Sequence, residues 1–158
     1  MLQIVLLISL SPYSMKKLKT EIIINAPIDK VWDILMAHEN YPKWNPFITN
    51  ITGTVKVGET IIVTLHLKEK KPMIFKPTVL TNMPGKEFRW LGHFVIKGIF
   101  DGEHYFLLEP IGSDQTLFTQ GENFKGILTG LFLKMIGEST LTGFSEMNEA
   151  LKKRAEKY

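Results

Sequence analysis

Cysteine is absent from this chain of 158 residues. Its absence excludes disulfide bridges, thiolate metal sites and cysteine nucleophiles. The chain also lacks an H-E-x-x-H metal motif and a glycine-rich phosphate loop, and its four histidines share no ligand spacing. We therefore expect neither a metal nor a cofactor.

Apolar sequence long enough to span a bilayer is also lacking at the N-terminus. The apolar run Leu2 to Leu10 is far below the roughly 20 residues that a membrane helix needs. It has no basic start and no small-residue cleavage site. Met15 looks like a natural start, so residues 1–14 are predicted to be an N-terminal extension. We expect a cytoplasmic protein without stable membrane insertion. Export is the alternative if residues 1–14 act as a signal.

Positive charge is scarce once the two ends of the chain are set aside. The net charge is +3, but three lysines lie within residues 1–20 and four basic residues within 149–158. The remaining residues, 21–148, hold 12 basic and 14 acidic side chains. Basic residues that close a helix also have a structural explanation, because they complement its dipole. Nucleic acid is therefore not an expected partner.

Aromatic residues are plentiful, with 10 Phe, 4 Tyr and 3 Trp. A chain of this length fits one domain, which we place at residues 15–158. It buries roughly 70% of the surface that its unfolded form exposes. The aromatic content therefore predicts either a large filled core or an apolar cavity. The protein is expected to be a monomer or a homodimer.

Hydrophobic periodicity predicts an α+β fold. Alternation predicts a first strand at 17–25, and Pro27 then opens a short helix with an apolar stripe. Another short helical turn is expected around Tyr41 to Trp44. The later strands are predicted at about 48–55, 60–68, 73–82, 86–92, 99–109 and 115–124.

Pro77 marks the strand predicted at 73–82 as an edge strand or the site of a bulge. From Gly126 onward the sequence predicts a helix whose apolar residues fall mostly on one face, from Leu128, Leu131 and Met135 to Phe144 and Leu151. Gly130 and Gly137 weaken its first half, so either the helix bends there or a loop persists to Gly137. Short connections make sequential strands antiparallel neighbours. The expected architecture is a seven-stranded curved antiparallel sheet around this helix, with two short helices after the first strand.

Several motifs resemble the START-like (SRPBCC, polyketide cyclase and Bet v 1-like) superfamily. They are Asn25-Ala26-Pro27-x-x-x-Val31-Trp32-x-x-Leu35, Tyr41-Pro42-x-Trp44-Asn45-Pro46-Phe47 and Gly98-x-x-x-Gly102-x-His104-x-Phe106. The resemblance covers residues 15–158. It implies a helix-grip fold with a cavity between sheet and helix for an apolar ligand. The superfamily holds carriers, receptors, cyclases and co-chaperone-like domains, so it does not fix the activity.

Strand parity predicts which side chains face the C-terminal helix. His104 and Glu122 are the two inward polar candidates, and they could act as acid and base or orient a ligand. A core histidine satisfied by a neighbour and a solvated strand-end carboxylate are the structural alternatives. The predicted ligand-binding residues are Leu65, Phe75, Val79, Phe88, Trp90, His104, Phe106, Phe118, Glu122, Met135 and Phe144.

Three functions remain open from the sequence. The first is binding of a small hydrophobic molecule, such as a lipid, polyketide or aromatic compound, in the internal cavity. The second is a cyclase- or aromatase-like enzyme that uses His104 and Glu122. The third is a co-chaperone-like interaction domain, which would expose an apolar patch instead of enclosing a cavity.

Overall fold

The computed structural model describes residues 15–94 and 96–157. The predicted extension, residues 1–14, lies outside the described residues. The described chain forms eight strands, two short helices and one long helix. The strands are β1 (Lys16–Ile24), β2 (Ile48–Thr52), β3 (Ile62–Leu65), β4 (Met73–Phe75), β5 (Thr78–Met83), β6 (Glu87–His93), β7 (Asp101–Pro110) and β8 (Thr116–Lys125). The helices are α1 (Ile28–Met36), a 3-10 helix (His38–Lys43) and α2 (Thr129–Ala155).

Helix α1 follows the predicted pattern. Pro27, in extended conformation, is its N-cap, and Asp29 lies in the first turn, where negative charge favours the helix dipole. Val31, Trp32 and Leu35 are its buried face. This helix is therefore anchored on the core by the apolar stripe visible in the sequence.

The strands pair antiparallel in two sheets. The larger sheet has the order β1-β8-β7-β6-β5, and the smaller has the order β2-β3-β4. The α+β helix-grip class is confirmed, but the predicted single sheet of seven strands is corrected to eight strands. The additional strand arises because the predicted strand 73–82 is interrupted between Phe75 and Thr78.

Pro77 causes this interruption. The Ile61 N–H donates to the Pro77 carbonyl at 3.0 Å, but Pro77 has no N–H to return the bond. The register is nevertheless the same on both sides, since Val63 lies opposite Phe75 and Thr60 lies opposite Thr78. The two sheets are therefore joined by backbone bonds into one surface that faces α2.

Helix α2 is continuous from Thr129, so the loop expected as one alternative up to Gly137 is not present. Its buried residues are concentrated beyond position 139: Thr140, Gly143, Phe144, Met147, Asn148, Leu151 and Ala155. In the first half only Thr129 and Gly137 are buried. Leu128, Leu131 and Met135 are exposed, so the predicted apolar stripe is not a single buried face.

Gly143 sets how closely α2 approaches the rest of the core. A Cβ at this position would lie 2.3 Å from Cδ2 of Phe47, so only glycine admits the Phe47 ring against the helix backbone. The same ring meets the Phe144 ring edge-on at 5.4 Å. The second half of α2 is thereby fixed against the body of the domain.

Candidate functional site

A gap in the inner face of the larger sheet creates the candidate site. Gly92 in β6 and Gly102 in β7 lie directly opposite each other, with Phe124 of β8 next in the same row. Two adjacent positions of this row therefore have no side chain to fill the space beneath α2. Glycine inside a strand often marks such a place.

A cavity of about 70 Å³ lies at this gap, between both sheets and α2. Its wall is mostly apolar and includes Leu65 and Phe75 from the smaller sheet and Ile136 from α2. Polar groups enter the wall at His93, His104, Glu122 and Thr140. An apolar wall with a few converging polar groups is the usual composition of a small-molecule site.

His104 is held firmly in the next row of the sheet. Its ring stacks on Trp90, with 4.7 Å between the centroids and 13° between the planes. The Phe106 and Phe144 rings meet it edge-on, and only 4% of the residue is exposed. The Gln120 side-chain amide donates to Nε2 at 3.3 Å, which leaves the imidazole proton on Nδ1.

Glu122 faces this Nδ1 from the neighbouring strand. The distance from His104 Nδ1 to Glu122 Oε2 is 3.5 Å, and the two residues are direct cross-strand partners. The Glu122 carboxylate lies over Gly102, where a Cβ would be 2.3 Å from Oε1. The glycine thus makes room for the carboxylate at the cavity wall. Glu122, with His104 beside it, can accept a hydrogen bond from a ligand hydroxyl or take a proton from a ligand.

The structure divides the predicted site residues into three groups. Leu65, Phe75, Trp90, His104 and Glu122 line the cavity. Met135 does not, because it is 61% exposed on the outer side of α2, while Ile136 faces the cavity. The remaining predicted residues lie outside the cavity wall, in the buried core: Val79, Phe88, Phe106, Phe118 and Phe144.

Sequence reasoning missed part of the cavity wall. Gly92 and Gly102 carried a usable signal, since glycines within predicted strands mark close approach or open space. The turn between β6 and β7 and the first half of α2 gave no such signal. The missed wall residues are Phe47, Val63, Leu67, Met73, Pro77, Gly92, His93, Phe94, Phe100, Gly102, Phe124, Ile136 and Thr140.

Within 15–94 and 96–157, no group of three His, Asp or Glu side chains is placed to hold a metal ion. No helix in that part of the chain combines the length and the apolar character needed to cross a membrane.

A family model described as "Polyketide cyclase / dehydrase and lipid transport" matches residues 15–156. No curated protein matches the chain. Among solved structures, the Zhui aromatase/cyclase from Streptomyces sp. R1128 is similar at a TM-score of 0.73 with 10% identity, covering 90% of this chain and 94% of that one. Norcoclaurine synthase from Thalictrum flavum is similar at a TM-score of 0.68 with 15% identity, covering 92% of this chain and 96% of that one. A START superfamily protein from Mycobacterium smegmatis is similar at a TM-score of 0.66 with 19% identity, covering 89% of this chain and 97% of that one.

Proposed function

Because the chain belongs to the polyketide cyclase/dehydrase and lipid transport family, we propose that it binds a small hydrophobic molecule in the cavity between sheet and α2. The observation that carries this proposal is the cavity itself, an apolar space made by Gly92 and Gly102 with His104 and Glu122 at its wall. Apolar contact supplies affinity at roughly 25 cal/mol per Å² buried. Glu122, with His104 beside it, fixes the orientation of a ligand that carries a hydroxyl group.

The size of the cavity limits what enters without movement of the wall. Its volume of about 70 Å³ is below the roughly 150 Å³ that accommodates benzene in an engineered cavity. It is also below the roughly 300–1,000 Å³ of ordinary ligand sites. A bicyclic aromatic or an acyl chain therefore requires an outward movement of the first half of α2, or of the neighbouring rings of Phe94, Phe100 and Phe132. The weak burial of that half supports such a movement.

The binding proposal is tested with two chemically different probes, 2-naphthol and decanoate. Native mass spectrometry of the full chain should show a one-to-one adduct with at least one of them. A ligand at 100 times its dissociation constant adds about 2.7 kcal/mol of stability, which raises the melting temperature by roughly 5–10 °C for a domain of this size. A clean unliganded mass with no thermal shift for either probe, or for a wider panel of fatty acids and aromatics, would contradict the proposal.

A second candidate is an enzyme with acid–base chemistry at the same cavity. The pairing of His104 Nδ1 with Glu122 at 3.5 Å favours it. Since Gln120 occupies Nε2, Glu122 is the group available to a ligand, and His104 positions it. The reaction suited to this arrangement is proton removal from the carbon next to a ligand carbonyl.

Deuterium exchange separates the two functions. The enzyme should exchange the methyl protons of bound acetophenone for solvent deuterium faster than buffer does, as followed by NMR. Glu122→Gln should abolish that exchange while it changes acetophenone binding by less than tenfold. Binding without exchange above the buffer rate leaves the carrier or sensor function and removes the enzyme.

A further inference from the structure

A cluster of exposed apolar side chains lies beside the cavity. It comes from the turn between β6 and β7 and from the segment that opens α2. Ile127 is 63% exposed and Leu131 57% exposed, and it is the contiguity of such residues in one patch that points to an interaction surface. We call this cluster the apolar rim; its members are Phe94, Ile96, Ile127, Leu128, Leu131 and Met135.

Backbone hydrogen bonds join the two segments into one surface. The Ile127 N–H donates to Gly98 O at 3.1 Å, and the Leu128 N–H donates to Ile99 O at 3.0 Å. Gly126 makes this junction possible, with φ at +126° and a Cβ position only 2.3 Å from Ile99 O. The rim is therefore a built feature of the fold, held by a glycine that no other residue replaces without strain.

An aromatic cluster connects the rim to the cavity. The Phe132 ring lies 5.2 Å from the Phe94 ring and 4.8 Å from the Phe100 ring. Phe94 and Phe100 also line the cavity. A molecule that leaves the cavity on this side therefore passes directly under the rim.

Basic side chains lie in and next to the rim segments. Lys97 and Lys134 are exposed within the two segments, and Lys125 is exposed at the end of β8 just before the second, against one exposed carboxylate, Glu138. The turn 68–71 adds three exposed lysines and one glutamate, and its flanking residues Leu67 and Met73 belong to the cavity wall. This charge is local, because the chain without its two ends carries a slight acidic excess.

From the rim, its lysines and its position over the cavity, we propose that the protein docks this surface on an anionic lipid bilayer. Exposed aliphatic and aromatic side chains insert between lipid headgroups, and the surrounding lysines are attracted to negatively charged lipid. A protein partner would account for the exposed apolar area alone. A bilayer accounts for the apolar area together with the lysines in and next to the rim segments, beside the cavity wall. Docking would transfer a ligand between membrane and cavity without passage through water.

The test is co-flotation of the full-chain protein with vesicles, in 0.1 M salt. Vesicles of phosphatidylcholine with 30% phosphatidylserine should bind it at least tenfold better than pure phosphatidylcholine. The double variant Ile127→Gln/Leu131→Gln should lose binding at least tenfold. Lys97→Glu/Lys134→Glu should lose it similarly and flatten its salt dependence.

Matched controls come from the opposite end of the sheet. Ile111→Gln changes an aliphatic residue that is 41% exposed at the far end of β7, and Lys86→Glu changes an exposed lysine in the turn between β5 and β6. Both should bind vesicles like the unaltered protein. All variants are surface changes, and a melting curve of each one checks that it folds.

Three results would overturn the docking proposal. They are equal binding to both vesicle types, no binding to either, and equal losses in rim and control variants. The protein could instead bind no vesicles but self-associate, with the Ile127→Gln/Leu131→Gln variant monomeric. That result would assign the rim to a second copy of the chain. None of these results affects 2-naphthol or decanoate binding, so failure of docking is distinguishable from failure of the cavity proposal.

Discussion

Replacing Gly92 by alanine should stabilise the fold and weaken ligand binding at the same time. The new methyl would meet its nearest neighbour, Pro77 Cβ, at 3.6 Å, which is ordinary contact. Alanine in a strand is about 0.5–1 kcal/mol more favourable than glycine. The empty cavity of about 70 Å³ costs on the order of 1.7 kcal/mol at 24 cal/mol per Å³, and one methyl fills part of it.

The expected gain in stability is therefore about 1 kcal/mol, or a rise of roughly 2–4 °C in melting temperature. A ligand that needs the same space meets an overpacked wall, which costs about 1–3 kcal/mol and weakens binding roughly 5- to 150-fold. Thermal unfolding and titration with 2-naphthol or decanoate measure the two effects on one sample.

Gly130→Ala provides the matched control. Nothing lies within 4 Å of a Cβ at Gly130, which is exposed in the first turn of α2 and outside the cavity wall. It should gain up to about 1 kcal/mol from helix propensity and leave affinity unchanged. The reasoning is refuted if Gly92→Ala binds the probe as tightly as the unaltered protein, or if both variants weaken binding equally.

Three further predictions concern the frame around the site. Burial lowers the pKa of His38 from 6.5 to about 4. The unfolded chain therefore binds the extra proton between these values, and stability falls by roughly 3 kcal/mol as pH drops from 7 to 4. His38→Gln should remove this part of the slope in urea-unfolding titrations, and His66→Gln, at an exposed histidine, should not. Gly143→Ala should lower the free energy of unfolding by roughly 1–3 kcal/mol through the clash with Phe47, despite better helix propensity. Phe47→Leu in the Gly143→Ala background should recover part of that loss. A Gly143→Ala variant that is more stable than the unaltered protein would contradict the packing argument. Gly126→Ala should lower the free energy of unfolding by roughly 1–3 kcal/mol, since it strains a φ of +126°. Hydrogen exchange of the Ile127 amide should then be faster, and an unchanged exchange rate would argue against the junction.

Period-two alternation predicted the inner face of the sheet well. Trp90, His104 and Glu122 have inward parity in their strands, and the structure makes them neighbours in one row. Parity does not give the position along the strand, however. Phe88 and Phe106 share that face two residues away and lie in the filled core rather than at the cavity.

The buried face of α2 is less predictable from the sequence than the inner face of the sheet. An apolar residue on a helix can face the core or another surface, and periodicity alone does not distinguish them. Met135 and Leu131 have the spacing of a buried stripe but are exposed, while Ile136 and Thr140 turn towards the cavity. Pro77 signals the split of the predicted strand 73–82 in the sequence, but only the structure shows that the register is the same on both sides of the split.

The uneven burial along α2 makes one geometric helix into two units of different stability. The half beyond residue 139 carries most of the buried contacts and should open only with global unfolding. The half before it can detach in a local fluctuation that leaves the rest intact, as hydrogen exchange would register. A ligand too large for the closed cavity would enter by displacing that half of the helix from its place, so part of its binding energy would be spent on the displacement. Measured affinity would then understate the contacts that the ligand makes with the cavity wall.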